Sequence, residues 1–192
     1  MSFNFNVGIN GPWVGVAFLK GDYHRFGDDL VMGATWGTMT HCELLIGTGN
    51  AAKSYGAFTN AGFVESGNLI DGSRWHVTCF PVKDHTVTYP FVLRALSAGI
   101  PYNSKDLWQC CIKAMLPFEY ELDCNVPETW VKNGVFCSQV CLLMLRKFNR
   151  DGLIKCPPQL ATLLETTHSR GCSPNTLFYM LNHFSTRAPA RL

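Results

Sequence analysis

Charge is scarce in this chain: Asp, Glu, Lys and Arg make up 16% of its 192 residues, and the net charge is only +2. No basic stripe neutralises a run of phosphates, which excludes nucleic acid as an expected partner. No apolar run approaches the roughly 20 residues that a membrane-spanning helix needs. The stretch Met1 to Asn10 has no basic region followed by an apolar one, so no leader peptide is expected. Internal repeats, low-complexity tracts and interdomain linkers are missing too. Cysteine is plentiful, at nine, but the number is odd and the positions show no repeated short-loop framework. Reduced thiols in a cytoplasmic compartment are the expectation. The close pairs, Cys110 with Cys111 and Cys137 with Cys141, have no second pair to complete a zinc site, so no metal is expected.

Hydrophobic residues, by contrast, are 47% of the chain and aromatics 12%, enough to bury a substantial core in one domain spanning residues 1–192. The first half reads as short β-branched or aromatic runs divided by Gly, Asn and Asp. These are Trp13 to Leu19, Asp29 to Met32, His41 to Ile46, Ala51 to Tyr55, Gly62 to Glu65 and Trp75 to Val82. In the second half the period becomes helical, over Phe91 to Ala98, Ser104 to Met115, Phe136 to Phe148, Pro158 to Leu164 and Pro174 to His183. Asn103-Ser104 and Ser173-Pro174 carry helix-start signals. A long irregular connection, Leu116 to Asn133, lies between. Strands first and helices afterwards predict an α+β domain with an antiparallel sheet.

Phe136-Cys137-Ser138-Gln139-Val140 opens the most apolar of these helices, which continues through Cys141, Leu142, Leu143, Met144 and Leu145. Such a helix is buried nearly all round. Its first turn carries backbone N–H groups without intrahelical partners and the positive end of the helix dipole, both of which favour a thiolate at Cys137. The same groups could receive an oxyanion formed by thiolate attack on a carbonyl. The plainer reading makes Cys137 a small core residue beside Cys141, one turn further in, which is itself read as core. Gln139 either caps the helix or faces solvent.

The segment Thr40-His41-Cys42-Glu43-Leu44 sets His41 and Glu43 on one face of a strand and Cys42 on the other. An imidazole that takes a proton from a thiol works better when a carboxylate holds its second nitrogen. The plainer alternative is the polar edge of a half-buried strand.

Taken together, Cys137 and His41 resemble the circularly permuted NlpC-type papain-like proteins, relatives of the lecithin retinol acyltransferase group, in which the histidine strand precedes the cysteine helix. Gly27-Asp28 with Leu30-Val31 looks like that family's first strand, Thr40 to Leu44 like its histidine strand, and Phe136 to Val140 like its nucleophile motif. Ala51 to Gly56, Gly62-Phe63-Val64, Gly99 to Asn103 and Ser173-Pro174 follow in the family's order. The resemblance implies an antiparallel sheet or half-barrel packed on a central cysteine helix, with residues 27–183 as the family-like core. It leaves 1–26 as an N-terminal extension without a counterpart, in which Tyr23 and His24 could reach a cleft wall. It also implies a catalytic set of Cys137, His41 and an orienting residue. Glu43 is the expected third member, since the next strand offers only Lys53 and Ser54.

The expected activity is that of a papain-like thiol hydrolase, a cysteine peptidase or amidase, needing no cofactor. Its substrate would be a peptide, an amide or an acyl lipid. Two alternatives stand beside it. A lipid acyl hydrolase or acyltransferase would need a peripheral membrane face, for which Trp13, Phe18, Trp108, Met115, Leu116, Pro117 and Phe118 are candidates. A catalytically silent binding or structural module would use the same fold and its apolar surface for an interface.

Overall fold

The computed structural model of the protein describes residues 3–4, 7–21, 32, 37–68, 70–105, 107 and 121–184. Seven strands come first: β1 (Phe3–Asn4), β2 (Pro12–Lys20), β3 (Met39–Thr48), β4 (Ala51–Phe58), β5 (Gly62–Glu65), β6 (Ile70–Asp71) and β7 (Trp75–Pro81). Among the described residues four named helices follow: α1 (Thr88–Ser97), α2 (Cys137–Arg150), α3 (Pro158–Thr166) and α4 (Pro174–Phe184). Short 3-10 turns occupy Pro127–Trp130, inside the connection read as irregular, and Ser169–Gly171. The protein is therefore α+β, with the named strands in its first half and the four named helices after them. Of the expected strand Asp29 to Met32 only Met32 is described, and it is helical rather than extended; the rest of that segment, most of the expected helix Ser104 to Met115, and Tyr23 and His24 fall outside the described residues.

The main sheet has five antiparallel strands in the order β5-β4-β3-β2-β7, so β3 lies at its centre. Residues 12–20, which the sequence resemblance leaves in an extension, supply an inner strand flanked by β3 and β7. A separate parallel pair joins Phe3 to Ile70 and Asn4 to Asp71.

Period-two alternation divides the sheet into two buried faces. Val14, Val16, Phe18, Cys42, Leu44, Ile46, Tyr55 and Ala57 join the larger core with the helices. Trp13, Ala17 and Leu45 face the other way, onto Ile70 and Trp75. Gly47 is required here: a Cβ on it would lie 2.2 Å from the Trp13 ring, whose indole Nε1 donates to the Gly49 carbonyl at 2.8 Å. Trp13 and Phe18 are fully buried, which removes both from the membrane-facing candidates. The remaining five lie outside the described residues.

Helix α2 is buried without a break from Cys137 to Arg146. Each of its large apolar side chains contributes about 1.5–3 kcal/mol of burial, as an upper estimate. Arg146 is the exception in kind, a charge in an apolar helix. Its Nε donates to the Leu164 carbonyl at 2.6 Å, Nη2 to the Thr167 carbonyl at 2.6 Å and Nη1 to Glu121 Oε1 at 2.8 Å. The guanidinium thus satisfies the last carbonyls of α3 and ties two later segments to the cysteine helix.

Candidate functional site

Two local devices fix where Cys137 begins its helix. Phe136 stands in the N-cap position with extended backbone (φ −112°, ψ 172°), and its N–H donates to Gln139 Oε1 at 3.4 Å. Gln139 therefore caps the helix, and it does so fully buried, its Nε2 reaching the Ser169 hydroxyl at 3.5 Å. Ser138 donates to the Cys172 carbonyl at 2.6 Å. Just upstream, Val135 donates its N–H to the Pro101 carbonyl at 2.9 Å, and Asn103 donates to the Val135 carbonyl at 3.0 Å. Gly134 permits this close approach: its φ is +69°, and a Cβ would stand 2.7 Å from the Pro101 oxygen.

The histidine strand is set by a bulge. In the β2–β3 ladder Leu19 pairs with His41 but Lys20 pairs with Met39, leaving Thr40 as the additional residue. A bulge bends and over-twists its strand and re-aims the side chains beside it. His41 is the next residue. The residue before the bulge is anchored as well, since Asn175 holds both backbone groups of Met39.

The structure brings the three expected residues together. His41 Nε2 stands 3.5 Å from Glu43 Oε1, at the long end of an ion-pair contact, and His41 also interacts directly with Cys137 by hydrogen bonding and charge. Glu43 is fully buried, and its Oε1 accepts from Asn68 Nδ2 at 2.5 Å. Around the imidazole lie Phe58, at 5.0 Å between ring centroids, and Trp75, at 6.4 Å. Cys137 is 2% exposed, whereas the His41 side chain is 18% exposed, so the histidine is the more open of the two.

Proton affinities follow from these contacts. The Cys137 thiol is held well below its ordinary range, first by a hydrogen bond from the Cys42 thiol, against an opposing cost of burial, and then by the charge and hydrogen bond of His41 and by the Cys42 N–H. For His41, burial works against the charged ring, but attraction to Cys137 and hydrogen bonds to Cys137 and Glu43 outweigh it and raise the imidazole to about 10. Burial likewise opposes ionisation of Glu43, and hydrogen bonds from His41 and Asn68, with a smaller contribution from Ser66, hold it below the usual carboxylate value. Both shifts favour passing the proton from Cys137 to His41, beside the Glu43 carboxylate.

Cys42 is the residue that strand alternation alone misses. Consecutive strand residues point to opposite faces, and Cys42 does enter the larger core with Cys137 and Cys141. Its own thiol is pushed well above the ordinary value, chiefly by burial and then by donating to Cys137 and Cys141, so it stays protonated and serves as a donor. Cys141 is buried core, as its place one turn inside the helix implies. Lys53 is exposed and pairs with Glu65 at 3.2 Å, while Ser54 lies opposite Leu45 with its carbonyl accepting from the Ser66 N–H at 2.8 Å. The contact to His41 comes from Glu43.

Among the described residues no group of three or more His, Cys, Asp or Glu side chains is placed to hold a metal ion, and no helix is long and apolar enough to cross a membrane. No family model matches the chain, and no curated protein matches it.

Proposed function

We propose that the chain is a cysteine hydrolase, a peptidase or amidase with a permuted papain-like arrangement in which the histidine strand precedes the cysteine helix. The observation that carries this reading is the Cys137–His41 pair: a helix-start thiol in direct contact with an imidazole, its proton affinity lowered and the ring's raised, with Glu43 behind the ring. A core cysteine has no use for such a partner, and burial alone would raise its pKa. Perturbation in both members, with geometry to match, is the mark of a reacting pair.

The chemistry follows from the placement. The Cys137 sulfur attacks the carbonyl carbon of an amide, ester or thioester; a C–S bond forms and the carbonyl π pair moves onto oxygen. The backbone N–H groups of the first turn of α2, which lack intrahelical acceptors, supply donors for that oxyanion. With Nε2 turned to Glu43, Nδ1 is the nitrogen that serves the thiolate. The imidazolium gives its proton to the leaving group as the C–N, C–O or C–S bond to it breaks, leaving an acyl-enzyme. Neutral His41 then takes a proton from water, whose oxygen attacks the acyl carbon, and the Cys137 thiolate departs.

The test is to incubate the protein with small amide, ester and thioester acyl donors and to read the intact mass for an acyl adduct at Cys137. Trapping in the natural protein, its loss in Cys137→Ser and its slowing in His41→Ala are expected. An adduct spread over several cysteines and indifferent to His41 would remove the proposal.

A further inference from the structure

Glu43 raises a question of its own. A carboxylate buried completely in a sheet can rotate, or take up a proton, unless something holds it. Its neighbour His41 stands at 3.5 Å, too far to fix the carboxyl plane by itself. The short contact is the one from Asn68 Nδ2, at 2.5 Å, and it falls on Oε1, the same oxygen that faces His41 Nε2. Ser66 adds a smaller contact, so the amide is the main group that decides how the carboxylate is turned.

Asn68 is itself held for this. It lies just beyond β5, and its N–H donates to the Ser66 hydroxyl at 3.1 Å. Ser66 is buried, and its N–H donates to the Ser54 carbonyl of β4, so the turn is attached to the strand beside β3. Gly56, also on β4, narrows the remaining room: a Cβ there would stand 3.2 Å from Glu43 Cγ. Glu43 thus has one seat, set by an amide donor from the sheet's own edge.

We infer that Asn68 is a positioning residue of the site, aligning the Glu43 carboxylate with His41 so that the imidazole keeps the orientation that Cys137 needs. This rests on the hydrolase reading above. Asn68 acts through Glu43 and His41 and touches no reacting atom. Because its residue is exposed on the turn, replacing it removes the amide without opening the core.

The experiment compares the natural protein with Asn68→Ala and Asn68→Asp. The His41 ring is followed by NMR against pH, its signals assigned with His41→Gln, and kcat and KM are measured on the acyl donor that labels Cys137. In the natural protein His41 is expected to titrate near 10. In Asn68→Ala that titration should move down as Glu43 loses its alignment with the ring, and kcat should fall about 10- to 100-fold, the range of a lost charge-assisted hydrogen bond, with KM unchanged. Asn68→Asp places an acceptor against the carboxylate and should fall at least as far. Unaltered His41 titration and kcat in both variants, with an activated Cys137 in the natural protein, would overturn this inference alone. An ordinary imidazole titration in the natural protein, with a slow Cys137, would overturn the hydrolase reading and this inference together.

Discussion

The side-chain amide of Asn175 brackets Met39, donating Nδ2 to its carbonyl at 2.9 Å and accepting its N–H on Oδ1 at 2.8 Å. The amide continues the backbone pairing of β3 from helix α4, at a residue two before His41. Both groups are buried, and Gly37 leaves the room, since a Cβ on it would meet the Asn175 oxygen at 2.2 Å. Asn175→Ala leaves two buried backbone groups without partners, and the expected loss is about 2–4 kcal/mol by denaturant unfolding. Cys137 reactivity should fall with it, because the bulge at Thr40 loses its anchor. Unchanged stability would show that Met39 finds other partners.

A bell-shaped pH dependence of kcat/KM is expected, with the limbs belonging to the Cys137–His41 pair as a unit. The acid limb reports protonation of the thiolate, which lies well below the ordinary thiol value; the alkaline limb reports loss of the imidazolium proton near 10. The stability signs are opposite. Raised His41 contributes fully below its unfolded value near 6.5 and loses that contribution as pH climbs through 10. Depressed Glu43 contributes above its unfolded value near 4.5 and loses it as pH falls through its lower native value. Alkylation of Cys137 should run at a nearly constant rate across neutral pH, and a rate rising tenfold per pH unit there would refute the thiolate.

Cys42→Ala should move the acid limb of Cys137 alkylation to higher pH, because the hydrogen bond from this thiol is the largest influence lowering Cys137. The Cys42 backbone N–H remains in the variant, so the shift is partial. Cys42→Ser, which keeps a donor, should restore much of the loss. Peptide mapping of alkylation rate against pH measures both. If the acid limb stays in place in Cys42→Ala, the neighbouring thiol has no part in holding the sulfur.

Arg146→Met should cost about 3–5 kcal/mol, since it leaves the Leu164 and Thr167 carbonyls and Glu121 without their buried cation. Glu121 also accepts from the Ser169 N–H at 2.9 and 3.0 Å, and the Ser169 hydroxyl receives Gln139. The network therefore returns to the first turn of the cysteine helix. Thermal unfolding reads the stability loss, and faster alkylation of the buried Cys172, whose carbonyl receives Ser138, reads loosening at that turn. A variant with unchanged melting would mean the carbonyls are satisfied by solvent.

Much of this was legible in the chain itself. Apolar residues at period two mark β2, β3, β4 and β7, and the same alternation pairs His41 with Glu43, because strand geometry is local. A 3.6-residue period and an extended residue before it place Cys137 at a helix start, and Ser173-Pro174 opens α4 with the Ser173 hydroxyl accepting from the Thr176 N–H at 3.0 Å. Those are short-range rules, and they marked these elements and one of the site's contacts, His41 to Glu43. Only the tertiary structure decided the rest. Periodicity identifies apolar faces but not what covers them, so it left Trp13 and Phe18 open to a membrane when the sheet in fact buries both. It sends Cys42 away from His41, yet the helix packed on that other face brings Cys137 against it. Asn68 looks like one more turn residue until the turn is laid beside Glu43. Hydrogen bonds between residues far apart in the chain have no sequence period, and their partners become neighbours only when the whole core closes.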